Sequence, residues 1–164
     1  MANVLVCDDE RSIRELLDIA LRKEGHKVEI VNSGELAVKK IESARYDVIV
    51  TDIKMPGMNG IDVLRHAHRV SPQSAVVLIT AVGDFDSAVH AVKSGAFDYI
   101  QKTPNGLVDE IRVSIGRASE VLNDGRCARP CDAVHGRGGV TQYRTRGSDA
   151  KAKGMARRQR QEPG

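Results

Sequence analysis

A chain of 164 residues accommodates one well-packed domain and a remainder, and its 41% hydrophobic residues fit a soluble globular protein. No run of about 18 apolar residues occurs, and the N-terminus MANVLVCDDE turns acidic too early for a signal peptide, so neither a membrane span nor secretion is expected. The net charge of +3 hides two unlike parts: residues 1–120 hold fifteen Lys/Arg against eighteen Asp/Glu, residues 121–164 ten against four.

Trp is absent and aromatics make up 3%, so the core must be built from Val, Ile, Leu and Ala, as suits a buried parallel sheet. Residues 3–7 (NVLVC) read as a strand, and 11–23 place Ile13, Leu16, Leu17, Ala20 and Leu21 at helical spacing before Gly25 ends the run. Residues 27–31 (KVEIV) form a second strand, followed by a helix opened by Ser33, whose hydroxyl can cap it. Residues 47–52 (DVIVTD) are a third strand ending in an acid. The Pro/Gly-rich KMPGMNG then leads into a helix carrying Ile61, Val63, Leu64 and Ala67, which Ser71-Pro72 ends.

Residues 75–80 (AVVLIT) are a fourth strand, 84–94 a fourth helix, 97–100 a short fifth strand, and a last helix is expected from about 105 to 122. Five strands alternating with five helices predict an α/β fold, a doubly wound five-stranded parallel sheet. The second and third strands show little polar alternation, as expected where both faces are covered. From residue 123 onward the pattern stops: no Ile, Leu or Phe, seven Gly and a basic close predict a disordered tail, with the folded domain spanning 1–122.

Ligands of an open parallel sheet bind beyond the carboxyl ends of its strands. Asp8 and Asp9 follow the first strand, Asp52 ends the third, Thr80 ends the fourth and Lys102 follows the fifth, so all five are expected in one crevice. Three carboxylates about 5 Å apart would repel by about 3 kcal/mol per pair at an effective dielectric near 20, so the cluster requires cations. Lys102 is one; an all-oxygen site with room for water suits magnesium rather than zinc. Phosphoryl transfer to a carboxylate uses these parts, with Asp52 attacking in line and Thr80 and Lys102 holding the phosphoryl group.

The segments CDDE (7–10), VTDIKMPGMNG (50–60), LITA (78–81) and GAFDYIQK (95–102) resemble the receiver domains of bacterial two-component response regulators. The resemblance covers about residues 3–120 and implies a flavodoxin-like receiver fold. It further implies phosphorylation of Asp52 by a sensor histidine kinase, with magnesium held by Asp8, Asp9, Asp52 and the Lys54 backbone carbonyl. Tyr99 falls at the family's switch position, and the fourth helix, fifth strand and fifth helix form the responding face, through which a homodimer can form. The implied protein is a cytoplasmic phosphoacceptor, not an enzyme acting on other molecules, that catalyses only its own magnesium-dependent phosphorylation and dephosphorylation.

Within that family, residues 82–102 look most like the nitrogen-regulatory (NtrC-type) activators, which continue into an ATPase and a DNA-binding domain. No G-x-x-x-x-G-K-[ST] loop is present, and residues 123–164 are too few for either output. Transcription regulation is then expected of a truncated regulator or of another reading frame. A second departure is local: receivers usually follow the Lys directly with Pro, whereas here Thr103 intervenes.

Blander readings compete at several positions. Asp8, Asp9 and Asp52 taken singly fit helix capping or a turn, and Asp84 and Asp86 are expected to cap the fourth helix. Tyr99 fits core packing as well as a switch, and Cys7 reads as a small core residue. His66 and His68 point to different helix faces and read as surface residues. Cys127, Cys131 and His135 lack a fourth zinc ligand. The basic tail, with Tyr143 as its one aromatic, is expected to be solvated, with nonspecific nucleic-acid binding the weaker alternative.

Overall fold

Each apolar run becomes a strand of one sheet in the computed structural model of the chain, which describes residues 1–125. In chain order the elements are β1 (Asn3–Cys7), α1 (Arg11–Lys23), β2 (Lys27–Val31), α2 (Gly34–Ser43) and β3 (Val48–Asp52), then α3 (Gly60–Val70), β4 (Ala75–Thr80), α4 (Phe85–Lys93), β5 (Asp98–Gln101) and α5 (Leu107–Asn123). All neighbouring strands pair in parallel, in the order β2-β1-β3-β4-β5. The expected doubly wound sheet is therefore observed.

Strand pleating divides each continuous apolar run between two cores. Val4, Val6, Val50, Val77 and Ile79 face α1 and α5, where Leu17, Leu21, Ile111 and Ile115 close over them. Leu5, Ile49, Val76 and Leu78 face the opposite way, against Ile41, Ile61, Leu64 and Ala91 of α2, α3 and α4. β3 and β4 are buried along their whole length. β2 corrects the expectation of two covered faces: it is an edge strand, and Glu29 and Ile30 are exposed. Tyr46 and Lys40 both bond the Glu29 carboxylate and so dress that edge with charge.

Capping follows the chemistry of the residues. The Ser33 hydroxyl accepts from the Leu36 amide and the Asp84 carboxylate from the Ser87 amide, as expected, while Asp86 lies in the first turn of α4 without being its cap. Asn59 and Asp62 form a reciprocal capping box at the start of α3. α5 accommodates Gly116, where an added Cβ would meet nothing within 4 Å, and ends at Asn123.

The surface reading of His66 and His68 is also corrected, since both are half-buried. His66 Nε2 stands 3.1 Å from Glu42 and ties α3 to α2. No helix of the described residues is long and apolar enough to cross a membrane. Nearly all of the expected tail, with Cys127, Cys131, His135 and Tyr143, lies outside the described residues.

Candidate functional site

The sheet order reverses direction at β1 and β3, and the crevice beyond their carboxyl ends gathers the acids. Asp8 leaves β1 fully buried, with Oδ1 accepting from the Glu10 amide at 2.9 Å. Asp52 is the last residue of β3 and 5% exposed. Lys102, just past β5, points its ammonium into the gap and lies 2.8 Å from Asp52 Oδ2, 3.1 Å from Asp8 Oδ2 and 3.1 Å from Glu10 Oε1. One oxygen from each of Asp8, Glu10 and Asp52 falls within 4.8 Å of the others.

Glu10 is the residue that sequence reasoning missed, although it stands in the CDDE run as a third consecutive acid. Asp9 lines the same crevice of about 180 Å³, with Lys54, Thr80 and Asp84, but is exposed at its rim. The Thr80 hydroxyl is buried without a hydrogen-bond partner among the described residues, and the residue lines the crevice. The Lys102 amide donates to the Thr80 carbonyl at 2.8 Å, so the ends of β4 and β5 are tied together. Thr103 does not prevent the reach of Lys102: its amide turns back onto the Gln101 carbonyl, and no peptide bond among the described residues is cis.

Burial governs the electrostatics. It pushes the Asp8 carboxyl up to about 6, against the Glu10 amide and Lys102, and the charge of Asp52 adds to the rise. Burial also raises Asp52, assisted by Asp9 and opposed by Lys102 and the Lys54 amide. For Lys102 burial favours the neutral amine, but hydrogen bonds to Asp52 and Glu10 and the charges of Asp52 and Asp8 outweigh it, and its pKa ends above the ordinary value. An acid cluster with protonation raised by burial is one that a further cation would relieve.

The loop after β3 is held against the site by close packing. A Cβ at Gly60 would collide with the Asp52 carbonyl oxygen, and the Gly60 amide donates to the Ile53 carbonyl at 2.8 Å. Gly57 adopts φ +75°, and the Glu35 carboxylate accepts from the Met58 amide at 3.1 Å, so α2 fixes the turn. The Lys54 side chain reaches the N-cap of α4, 3.0 Å from Asp84 Oδ2.

Tyr99 lies outside the crevice. Half-buried on β5, it packs against the α2–α4 side of the core and lines a separate cavity of about 310 Å³ with Asp98, Glu110 and Arg117. Cys7 is buried, as expected, and burial lifts its thiol to about 12.

Residues 4–112 match the family model described as response regulator receiver domain. The chain belongs to that family. This receiver is 38% identical over 116 residues to the DNA-binding response regulator MtrA of Mycobacterium tuberculosis, a match covering 70% of this chain and 50% of MtrA. It thus spans about half the length of the curated relatives it matches.

Among solved structures, the receiver is similar to the Thermotoga maritima response regulator TrrA in complex with Mg2+ and BeF. That match has a TM-score of 0.64 and 33% identity, covering 72% of this chain and 99% of TrrA. The beryllofluoride-activated NtrC4 receiver domain dimer matches at TM-score 0.66 and 35% identity, over 72% of this chain and 96% of that one. The second match is in keeping with the expected likeness to NtrC-type receivers. Receiver domains are phosphoacceptors of phosphorelay signalling, and this chain has their fold.

Proposed function

We propose that Asp52 accepts a phosphoryl group from a sensor histidine kinase. The observation that carries this reading is the meeting of Lys102 with Asp52 and Asp8 beside the unpaired Thr80 hydroxyl. A bond forms between an Asp52 carboxylate oxygen and phosphorus as the bond from phosphorus to the donor imidazole nitrogen breaks, and that nitrogen keeps the electron pair. Lys102 exchanges its contact with the carboxylate for one with a phosphoryl oxygen, and the Thr80 hydroxyl donates to another. An ionised Asp needs no base.

The all-carboxylate cluster fits a hard divalent ion that retains water, so magnesium is the proposed metal. Asp8, Asp9, Asp52 and the Lys54 backbone carbonyl would hold it, with Glu10 adjoining. When bound it supplies charge neutralisation at the phosphoryl oxygens. In this reading the chain catalyses only its own phosphorylation and dephosphorylation.

Tyr99 is proposed as the switch, turning as Thr80 moves toward the phosphoryl group and altering the face made by α4, β5 and α5. Val82, Phe85 and Val89 are 63%, 73% and 49% exposed at and before α4, and a homodimer or partner would cover them. A cytoplasmic setting and a role in transcription regulation belong to the same proposal, the latter supported by the DNA-binding regulators among the relatives.

The test is labelling by acetyl phosphate with magnesium. Wild type is expected to gain one phosphoryl group and Asp52→Asn none; equal labelling of both would overturn the reading.

A further inference from the structure

Two cations of the described residues line the Asp52 crevice, Lys102 and Lys54. Lys102 already meets three carboxylates. The Lys54 ammonium is held at the rim of the crevice: it stands 3.0 Å from Asp84 Oδ2, at the N-cap of α4. The two partners are unequally fixed. The Asp84 side chain is 15% exposed and also accepts from the Ser87 amide, while the Lys54 side chain is 72% exposed and leaves the chain two residues after Asp52. Both oxygens of the Asp84 carboxylate are engaged, Oδ1 by the Ser87 amide and Oδ2 by the Lys54 ammonium.

We infer that Asp84 is a positioning residue for phosphoryl transfer: it holds the Lys54 ammonium at the rim and competes with the incoming phosphoryl group for the second cation of the crevice. The inference rests on Asp52 being the phosphoacceptor. A phosphoryl group carries up to about two negative charges where Asp84 carries one, so it draws the long, solvated Lys54 side chain across. Asp84 then retains only its capping bond to Ser87. The strength of the Lys54–Asp84 pair thereby sets how readily Asp52 is loaded.

The experiment uses the full chain, acetyl phosphate and magnesium, and reads the initial rate of Asp52 labelling by mass spectrometry. Asp84→Asn keeps a side-chain oxygen for the Ser87 amide and loses the charge; Asp84→Ser, also a good cap, is the second variant if the first folds poorly. Either is expected to raise the rate about two- to fivefold, the range of a partly exposed ion pair.

Lys54→Met is expected to lower the rate and to abolish the effect of Asp84→Asn in the double variant. Lys54→Arg, which keeps a cation, is expected to preserve it. An unchanged rate in the folded Asp84 variants would overturn the inference, and so would an equal rise in the Lys54→Met background, because Asp84 would then act only through its field. Absence of labelling in wild type would instead sink the phosphoacceptor reading and this inference with it.

Discussion

Lys102 and Asp52 stand 50 residues apart in the chain and 2.8 Å apart in the fold, at the ends of strands that are not neighbours. The contact neutralises one of the two buried carboxylates of the site, and the same ammonium serves Asp8. Lys102→Met is therefore expected to lose labelling by acetyl phosphate and to destabilise the fold by about 1–3 kcal/mol at pH 8. The loss should shrink at pH 5, where the abandoned carboxylates take up protons. Urea midpoints at the two pH values check this, and an equal loss at both would count against it.

Asp8 makes stability depend on pH in a definite sense. Burial raises its carboxyl from 3.8 to about 6, so the folded state binds the proton more tightly than the unfolded state. That contribution is complete below about pH 4 and is lost as pH rises through about 6. Asp8→Asn keeps an oxygen for the Glu10 amide and removes the titration. In chelator, the variant is expected to be more stable than wild type at pH 7 by on the order of 1–2 kcal/mol, with the gain vanishing near pH 4. Denaturant titrations at both pH values provide the comparison.

Magnesium should act in the opposite sense. Binding to the folded state alone stabilises by about 2.7 kcal/mol at a hundredfold excess over the dissociation constant. The thermal midpoint of wild type is expected to rise with magnesium and to fall back with chelator. Asp8→Asn and Asp52→Asn should lose the rise. Glu10→Gln should reduce it, because its carboxylate belongs to the compact oxygen cluster.

Gly60 has no room for a side chain against the Asp52 carbonyl. Gly60→Ala is expected to cost about 1–3 kcal/mol through overpacking and to slow labelling of Asp52, whose backbone must shift. Chemical denaturation and the labelling rate measure the two effects, and full stability in the variant would show that the loop yields freely.

Phe85 is 73% exposed at the start of α4. Phe85→Asp is expected to leave the melting temperature within about 1 °C of wild type, since surface changes rarely exceed a few tenths of a kcal/mol. It should abolish any association that acetyl phosphate induces. Light scattering before and after phosphorylation decides the matter.

Local chemistry determined much of this protein before any tertiary contact is considered. The bounds of β1, α1, β2 and β4 follow from hydrophobic period, and the ends of α2 and α4 from the caps Ser33 and Asp84. Asp8, Asp52, Thr80 and Lys102 were legible as one site because parallel strands align their exits. What only the tertiary structure decided lies where consecutive residues compete or distant ones meet. Which of Asp8, Asp9 and Glu10 faces inward depends on the turn leaving β1, and it brings Glu10 to Lys102 while leaving Asp9 at the rim.

The exposure of β2 depends on its place at the sheet edge, and the partial burial of His66 on the packing of α3 against α2. The pairing of Lys54 with Asp84 requires the β3 and β4 exits to lie side by side. Periodicity records which face of an element is apolar; it carries no information on which polar tips meet across elements, because that depends on distances set only when the sheet closes.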